Sequence, residues 1–384
     1  MDPRAGDQPG GNPGRRETWT AYAYLSVFGF FLYAIGALTP YLREQLRLSA
    51  AQAALHPSAL AIGMISAGTV ADALERRLGR RWAGLLAVGL LIIAGSALAA
   101  APALPVTLAG AFGLGVGGGA VLSAVNQVLG RPGGLGPEVR FARANTWSML
   151  ASFFAPVSIA ALAASPLGWR AVPLLPLAVP VVLELAGGLS PGSVVGPRAA
   201  DGVRLPRPFW TAWLFVILAV SIEFSYVVWG SSVVAARTGL SLDAATALAA
   251  LFLTGMLLGR IALGARLVGT ARFRRWIELA LLVVSLGGLI VWLSTSPVAS
   301  GVGLLLAGLG TATLYPLGMA MALTRAGDAA SAAGARMTLA SGIAILAAPL
   351  VLGAISDAFD VVSGWPLVIA LCLAALGVYR LVRE

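Results

Sequence analysis

The stretch GTVADALERRLGRR, Gly68 to Arg81, sets six charged side chains between two segments that have almost none. WAGLLAVGLLIIAGSALAA follows it from Trp82 to Ala100 without a charge, and Ala50–Ala67 before it is equally free of ionisable groups apart from His56. A charged side chain at the centre of a bilayer costs roughly 2.5–3.5 kcal/mol on insertion scales. A knot of charge bounded by apolar runs about 20 residues long therefore reads as a turn in water between two membrane spans.

The whole chain repeats this pattern. It has 384 residues, 58% hydrophobic and 11% charged, with a mean hydropathy of +0.87. A soluble globular protein is about 25% charged. Twelve apolar runs are predicted to span as helices, near 19–42, 51–74, 82–101, 104–130, 139–164, 169–187, 208–236, 242–268, 276–295, 298–324, 330–356 and 364–382. Residues 1–17 are Pro/Gly-rich and polar and are expected to be a disordered tail. SPGSVVGPRAADGVRLPRP, Ser190 to Pro208, holds four prolines and three glycines and reads as a linker. The expected division is a tail (1–17), a first six-helix bundle (18–189), a linker (190–207) and a second six-helix bundle (208–384).

The net charge of +10 is topological in this setting, because the basic residues sit in short loops. All 26 are arginines; with the N-terminus inside, 20 of them fall on the cytoplasmic side and 4 outside. That excess predicts both termini in the cytoplasm. Nucleic acid is not the expected partner; membrane lipid is. The single cysteine, Cys372, excludes an intramolecular disulfide. No Cys/His cluster, nucleophile–base pair or phosphate loop appears, so no metal, cofactor or enzymatic activity is expected.

The two halves also repeat. ARANTWSMLASFFAP (Ala142–Pro156) and ARMTLASGIAILAAP (Ala335–Pro349) align at an offset of 193 residues. The same offset pairs Tyr33 with Tyr226, and Gly115 and Gly117 with Gly308 and Gly310. Coincidences at one offset argue for a duplicated six-helix unit. The predicted fold is all-α and integral to the membrane, with twelve transmembrane helices in two six-helix bundles related by pseudo-two-fold symmetry.

At the turn between spans two and three, Gly68, Asp72, Gly79, Arg80 and Arg81 resemble the signature of the major facilitator superfamily, G-x-x-x-D-x-x-G-R-[RK]. Four extra residues separate Asp72 from the GRR. The corresponding turn in the second half, GRIALGARLVGTARFRR (Gly259–Arg275), has Ala265 in place of the aspartate. The resemblance implies two bundles rocking about a central cavity lined by spans one, four, seven and ten. Many proton-coupled members carry an arginine beside a glycine run in span four. GAFGLGVGGGA (Gly110–Ala120) has the glycines and no arginine, so that mechanism does not transfer.

Candidate site residues follow from what is costly in a membrane. Glu223, the fifteenth residue of FWTAWLFVILAVSIEFSYVVWGSSVVAA, lies near mid-span. Low dielectric favours the protonated form of a carboxylic acid, so such a group can load and release a proton, or bind a solute. A structural hydrogen bond to a neighbouring helix is the alternative role. Tyr226, at i+3, and Trp229 are expected near it, and Tyr33 and Tyr315 offer further rings; packing is the competing role of each. Asn126 and Gln127 are amides near the inner end of span four. For the gate, Asp72 is expected to accept hydrogen bonds from the amino end of span eleven, where a helix dipole favours an anion. Arg80 and Arg81 belong to the same turn, and Arg143 and Arg336 are repeat-related arginines just inside it. His56 is expected as a solvated group at a helix kink.

The expected function is secondary active transport of a small organic solute by alternating access, coupled to protons, by a monomer in a bacterial inner membrane. A uniporter or exporter of hydrophobic compounds, or a non-transporting membrane sensor on the same fold, are the alternatives.

Overall fold

The computed structural model describes the backbone of residues 14–131, 136–188, 205–263 and 273–383. Residues 1–13 of the tail and nearly all of the linker expected from sequence, and the side chains of Asp72 and Arg80, lie outside the described residues, while Arg15–Glu17, expected in the tail, open the first helix. Apolar runs appear as helices because, in lipid, a helix satisfies its own backbone hydrogen bonds. The first half holds α1 (Arg15–Leu46), α2 (Ala50–Leu78), α3 (Arg80–Ala100), α4 (Leu104–Leu129), α5 (Pro137–Ala163) and α6 (Ala178–Leu185). The second holds α7 (Arg207–Thr238), α8 (Leu242–Leu263), α9 (Phe273–Leu293), α10 (Pro297–Ala326), α11 (Ala330–Ala358), the single turn α12 (Val361–Gly364) and α13 (Pro366–Arg383). Among the described residues no strand occurs, and ten helices are long and apolar enough to cross a membrane. With α2 and the shorter span containing α6, the helices make the twelve spans expected from sequence.

Span six departs from the prediction of a regular helix over 169–187. Trp169–Leu177 is 3-10 helix, and only Ala178–Leu185 is α-helical. Pro173 and Pro176 lack the N–H groups that an α-helical turn needs, which favours the tighter winding. Span twelve is entered through α12, where the Asp360 carboxylate accepts from the N–H groups of Val362 and Ser363, both at 2.8 Å.

Buried side chains form two cores, one per bundle. The core of the second bundle also takes in Tyr33, Ala50, Ala54, Ala61 and Met149 from α1, α2 and α5 of the first. Inside each bundle the repeat reappears as a matched crossing. A Cβ on Gly115 of α4 would fall on the carbonyl oxygen of Leu60 in α2; one on Gly308 of α10 would fall on that of Phe252 in α8. The glycines let the backbones of α4 and α2, and of α10 and α8, touch.

Successive spans alternate in direction, so the start of α1 and the end of α13 share one face of the molecule, here the terminal face. The starts of α2 and α8 and the ends of α1, α7 and α11 lie at the opposite face.

Candidate transport site and gate

Glu223 lies near the midpoint of α7 and is 5% exposed. Its carboxylate accepts a hydrogen bond from the hydroxyl of Tyr33 on α1, so the contact bridges the two bundles. The Tyr33 ring packs at 5.9 Å from the Phe224 ring, fixing the hydroxyl's approach. Arg260 on α8 lies close enough to both groups to act electrostatically on the Tyr33 hydroxyl and on Glu223. Tyr315 on α10 lies near Ser341 on α11 and feels the charges of both Glu223 and Arg260. The outcome is a mid-membrane cluster in which an acid and a base flank one hydroxyl. Two opposite charges there cost far less together than either would alone.

Three of the aromatic and acidic residues named from sequence, Tyr33, Glu223 and Tyr315, meet in this cluster. Arg260 also belongs to it, and the sequence signal was the same as for Glu223: an ionisable group inside a span. Tyr226 and Trp229 do not join it. Tyr226 stacks on Phe252 at 4.8 Å, sits edge-on to Trp365 and donates to the Val284 carbonyl at 3.2 Å. Trp229 is fully buried and donates to the Pro349 carbonyl at 3.0 Å. A step of three residues turns the side chain by about 60° around the helix, enough to aim Tyr226 into its own bundle. Their polar groups bond backbone carbonyls, and Tyr226 also borders a small void between the bundles. Asn126 and Gln127 lie near the terminal-face end of α4, the first exposed and the second half-buried.

Above the cluster, toward the opposite face, the bundles close. Tyr33, Ala37, Pro156, Tyr226, Thr246 and Phe252 are among the residues around this void of about 20 Å³, room for a single water. Further out, the Tyr41 hydroxyl on α1 donates to Asp243 on α8 at 2.9 Å and contacts Thr246 at 3.2 Å. Asp357, at the end of α11, accepts from the N–H groups of Ala50 and Ala51 at 2.6 and 2.9 Å and from the Ser49 hydroxyl at 2.7 Å. It thus caps the amino end of α2, where orphan N–H groups and the helix dipole favour an anion. Below it, Ser58 donates to the Leu346 carbonyl at 2.8 Å.

At the terminal face, Arg81, Arg143 and Arg336 are exposed. Trp213 of α7 donates to the backbone carbonyl of Arg336 at 2.7 Å. The carboxylate expected to face these arginines, Asp72, lies outside the described residues. His56 differs from expectation. It is fully buried, with Nδ1 bonded to the Ala53 carbonyl and Nε2 to the Thr107 hydroxyl, both at 2.8 Å. It ties α2 to α4 and does not meet solvent.

The comparisons agree on one architecture. A bacterial homologue of the human lysosomal transporter Spinster, in an inward-facing and occupied conformation, superposes with a TM-score of 0.75 at 14% identity, covering 98% of each chain. A single-residue variant of the nucleoside transporter NupG gives 0.77 at 12% identity, over 96% of this chain and 100% of that one. The human organic anion transporter MFSD10 gives 0.68 at 17% identity, over 96% and 100%. No curated protein sequence matches. The profile of the Major Facilitator Superfamily matches residues 21–349. With that match over most of the chain and the paired six-helix bundles, this chain belongs to the major facilitator superfamily of membrane transporters.

Proposed function

We propose that the chain is a proton-coupled secondary active transporter of a small organic solute, working by alternating access with Glu223 as the group that carries the proton. The observation that carries this reading is the Tyr33–Glu223 hydrogen bond: a mid-membrane carboxylate joined across the interface that alternating access must rearrange. When Glu223 is ionised, it holds the Tyr33 hydroxyl and balances Arg260. When it is protonated, the acceptor weakens, the Arg260 charge loses its partner, and the tie between the bundles loosens. Proton occupancy is thereby linked to the relative position of the bundles.

The contacts of Tyr41 and Asp357 correspond to the state closed at the opposite face. In the other state, the turn at Gly68–Arg81 closes the terminal face, with Asp72 latching onto the start of α11 and Arg80, Arg81, Arg143 and Arg336 around it. The arginine excess makes the terminal face cytoplasmic. A working unit of one chain suffices, because cavity and gates are built within it. The test is solute accumulation in proteoliposomes under an imposed pH difference. Wild type is expected to accumulate solute against its gradient, and Glu223→Gln to exchange it only downhill. Continued uphill accumulation by Glu223→Gln defeats the proton role.

A further inference from the structure

We infer that Arg260 and Glu223 together select a small organic anion, with Arg260 binding its carboxylate and Glu223 carrying one proton alongside. This rests on the transport reading above and adds the substrate class.

The argument is a charge count at the centre of the membrane. With Glu223 ionised and no solute, the carboxylate and the Arg260 guanidinium sum to zero. Protonation of Glu223 leaves a net charge of +1 in a low-dielectric centre, a state that is strongly disfavoured. A bound monoanion returns the sum to zero. The two neutral states are therefore the empty, deprotonated carrier and the carrier loaded with both a proton and an anion. A cationic solute leaves a charge of at least +1 in either protonation state. A neutral solute is compatible only with ionised Glu223, and so would not be coupled to protons.

The geometry of Arg260 fits the role. The guanidinium sits beside the Tyr33–Glu223 pair, and its Nε–H is buried without a hydrogen-bond partner. A guanidinium offers five donors in a planar fork, and a carboxylate takes two of them in parallel. A buried donor left open beside a charged cluster is what an incoming carboxylate would satisfy. Arg260 is half-buried whereas Glu223 is buried, so the guanidinium is the more accessible of the two. It also lies on a different flank of α8 from Leu258 and Ile261, which are 49% and 65% exposed.

The test uses purified full-length protein and thermal unfolding with matched probes: benzoate, benzamide and benzylamine, together with lactate and lactamide. Carboxylates are expected to raise the unfolding temperature, more at acidic than at neutral pH, while the amides and the amine do not. Arg260→Gln should weaken carboxylate binding by more than about tenfold, and Arg260→Lys, which keeps the charge without the fork, by less. Glu223→Gln imitates the protonated acid and should bind carboxylates with no pH dependence, which also shows that a charge-altered centre still folds. Equal protection by benzamide or benzylamine overturns the assignment. So does carboxylate binding unchanged in Arg260→Gln, or no carboxylate protecting either wild type or Glu223→Gln. The two readings fail separately. Carboxylates bound through Arg260 without pH-driven flux leave this inference standing and remove the proton role. Glu223-dependent, pH-driven flux of an amine or a neutral solute does the reverse.

Discussion

Tyr33 is the residue on which the cluster turns, because its hydroxyl bonds the acid on α7 and lies beside the base on α8. Removing it with Tyr33→Phe leaves the ring and its packing on Phe224 but deprives a buried carboxylate of its donor. A hydrogen bond to a charged group is worth about 1.5–3 kcal/mol, and the loss should appear as a lower unfolding temperature. It should be reduced when Glu223→Gln is combined with it, since the charge that needed the donor is gone; additivity of the two variants would argue against direct coupling. Glu223 was legible in the sequence because an acid inside an apolar span has few structural uses. Arg260 carried the same signal more faintly, placed near the end of its span beside a basic turn where snorkelling is an equally good account. Tyr226 and Trp229 part from the Glu223 cluster for a physical reason. Helical spacing from Glu223 fixes angle and height on α7, but it does not say which neighbouring helix stands in that direction.

At the scale of elements, the duplicated crossings of α2 on α4 and α8 on α10 are the joints that keep each bundle rigid. Gly115→Ala and Gly308→Ala each drive a methyl into a facing backbone carbonyl, and backbone cannot move aside as a side chain can. Overpacking costs typically 1–3 kcal/mol, so each variant should unfold at a lower temperature, and the two by similar amounts because the crossings repeat. Gly89→Ala on α3 is the control: a methyl there meets nothing within 4 Å, and alanine is the better helix former. A loss for Gly89→Ala as large as for the other two would deny the crossings any special role. The repeat was readable as a single offset in the sequence, since matched glycines are fixed by the backbone approach they permit. Span six was not, because hydropathy registers Pro173 and Pro176 as compatible with lipid while saying nothing of the hydrogen bonds they withhold.

For the whole molecule, α2 and α11 run in opposite directions across the interface between the bundles. Each therefore offers an amino end to the carboxyl end of the other. At the opposite face this pairing is occupied, with Asp357 of α11 capping the start of α2. At the terminal face the proposed partner is Asp72 of α2 against the start of α11. Under the proposed rocking motion both ends cannot close at once, so one cap would form as the other opens, and the balance of the two would set the populations of the access states. Loss of a helix cap costs about 0.5–2 kcal/mol. A change of one to two kcal/mol moves a two-state ratio by a factor of about 5–30. Asp357→Ala should shift the protein toward conformations open at the face where α2 begins, by a factor within or somewhat below that range. Cys372 is the single native cysteine and is buried, so a Cys372→Ser background isolates introduced labels. Spin labels at Gln45 and Phe359, both exposed at that face, then report its opening as a longer distance. Asp72→Ala should move the same distance distribution toward the short component. An unchanged distribution in Asp357→Ala would mean that the α2 cap follows the motion without biasing it, leaving the Tyr33–Glu223 tie and the Tyr41 contact to hold the face closed.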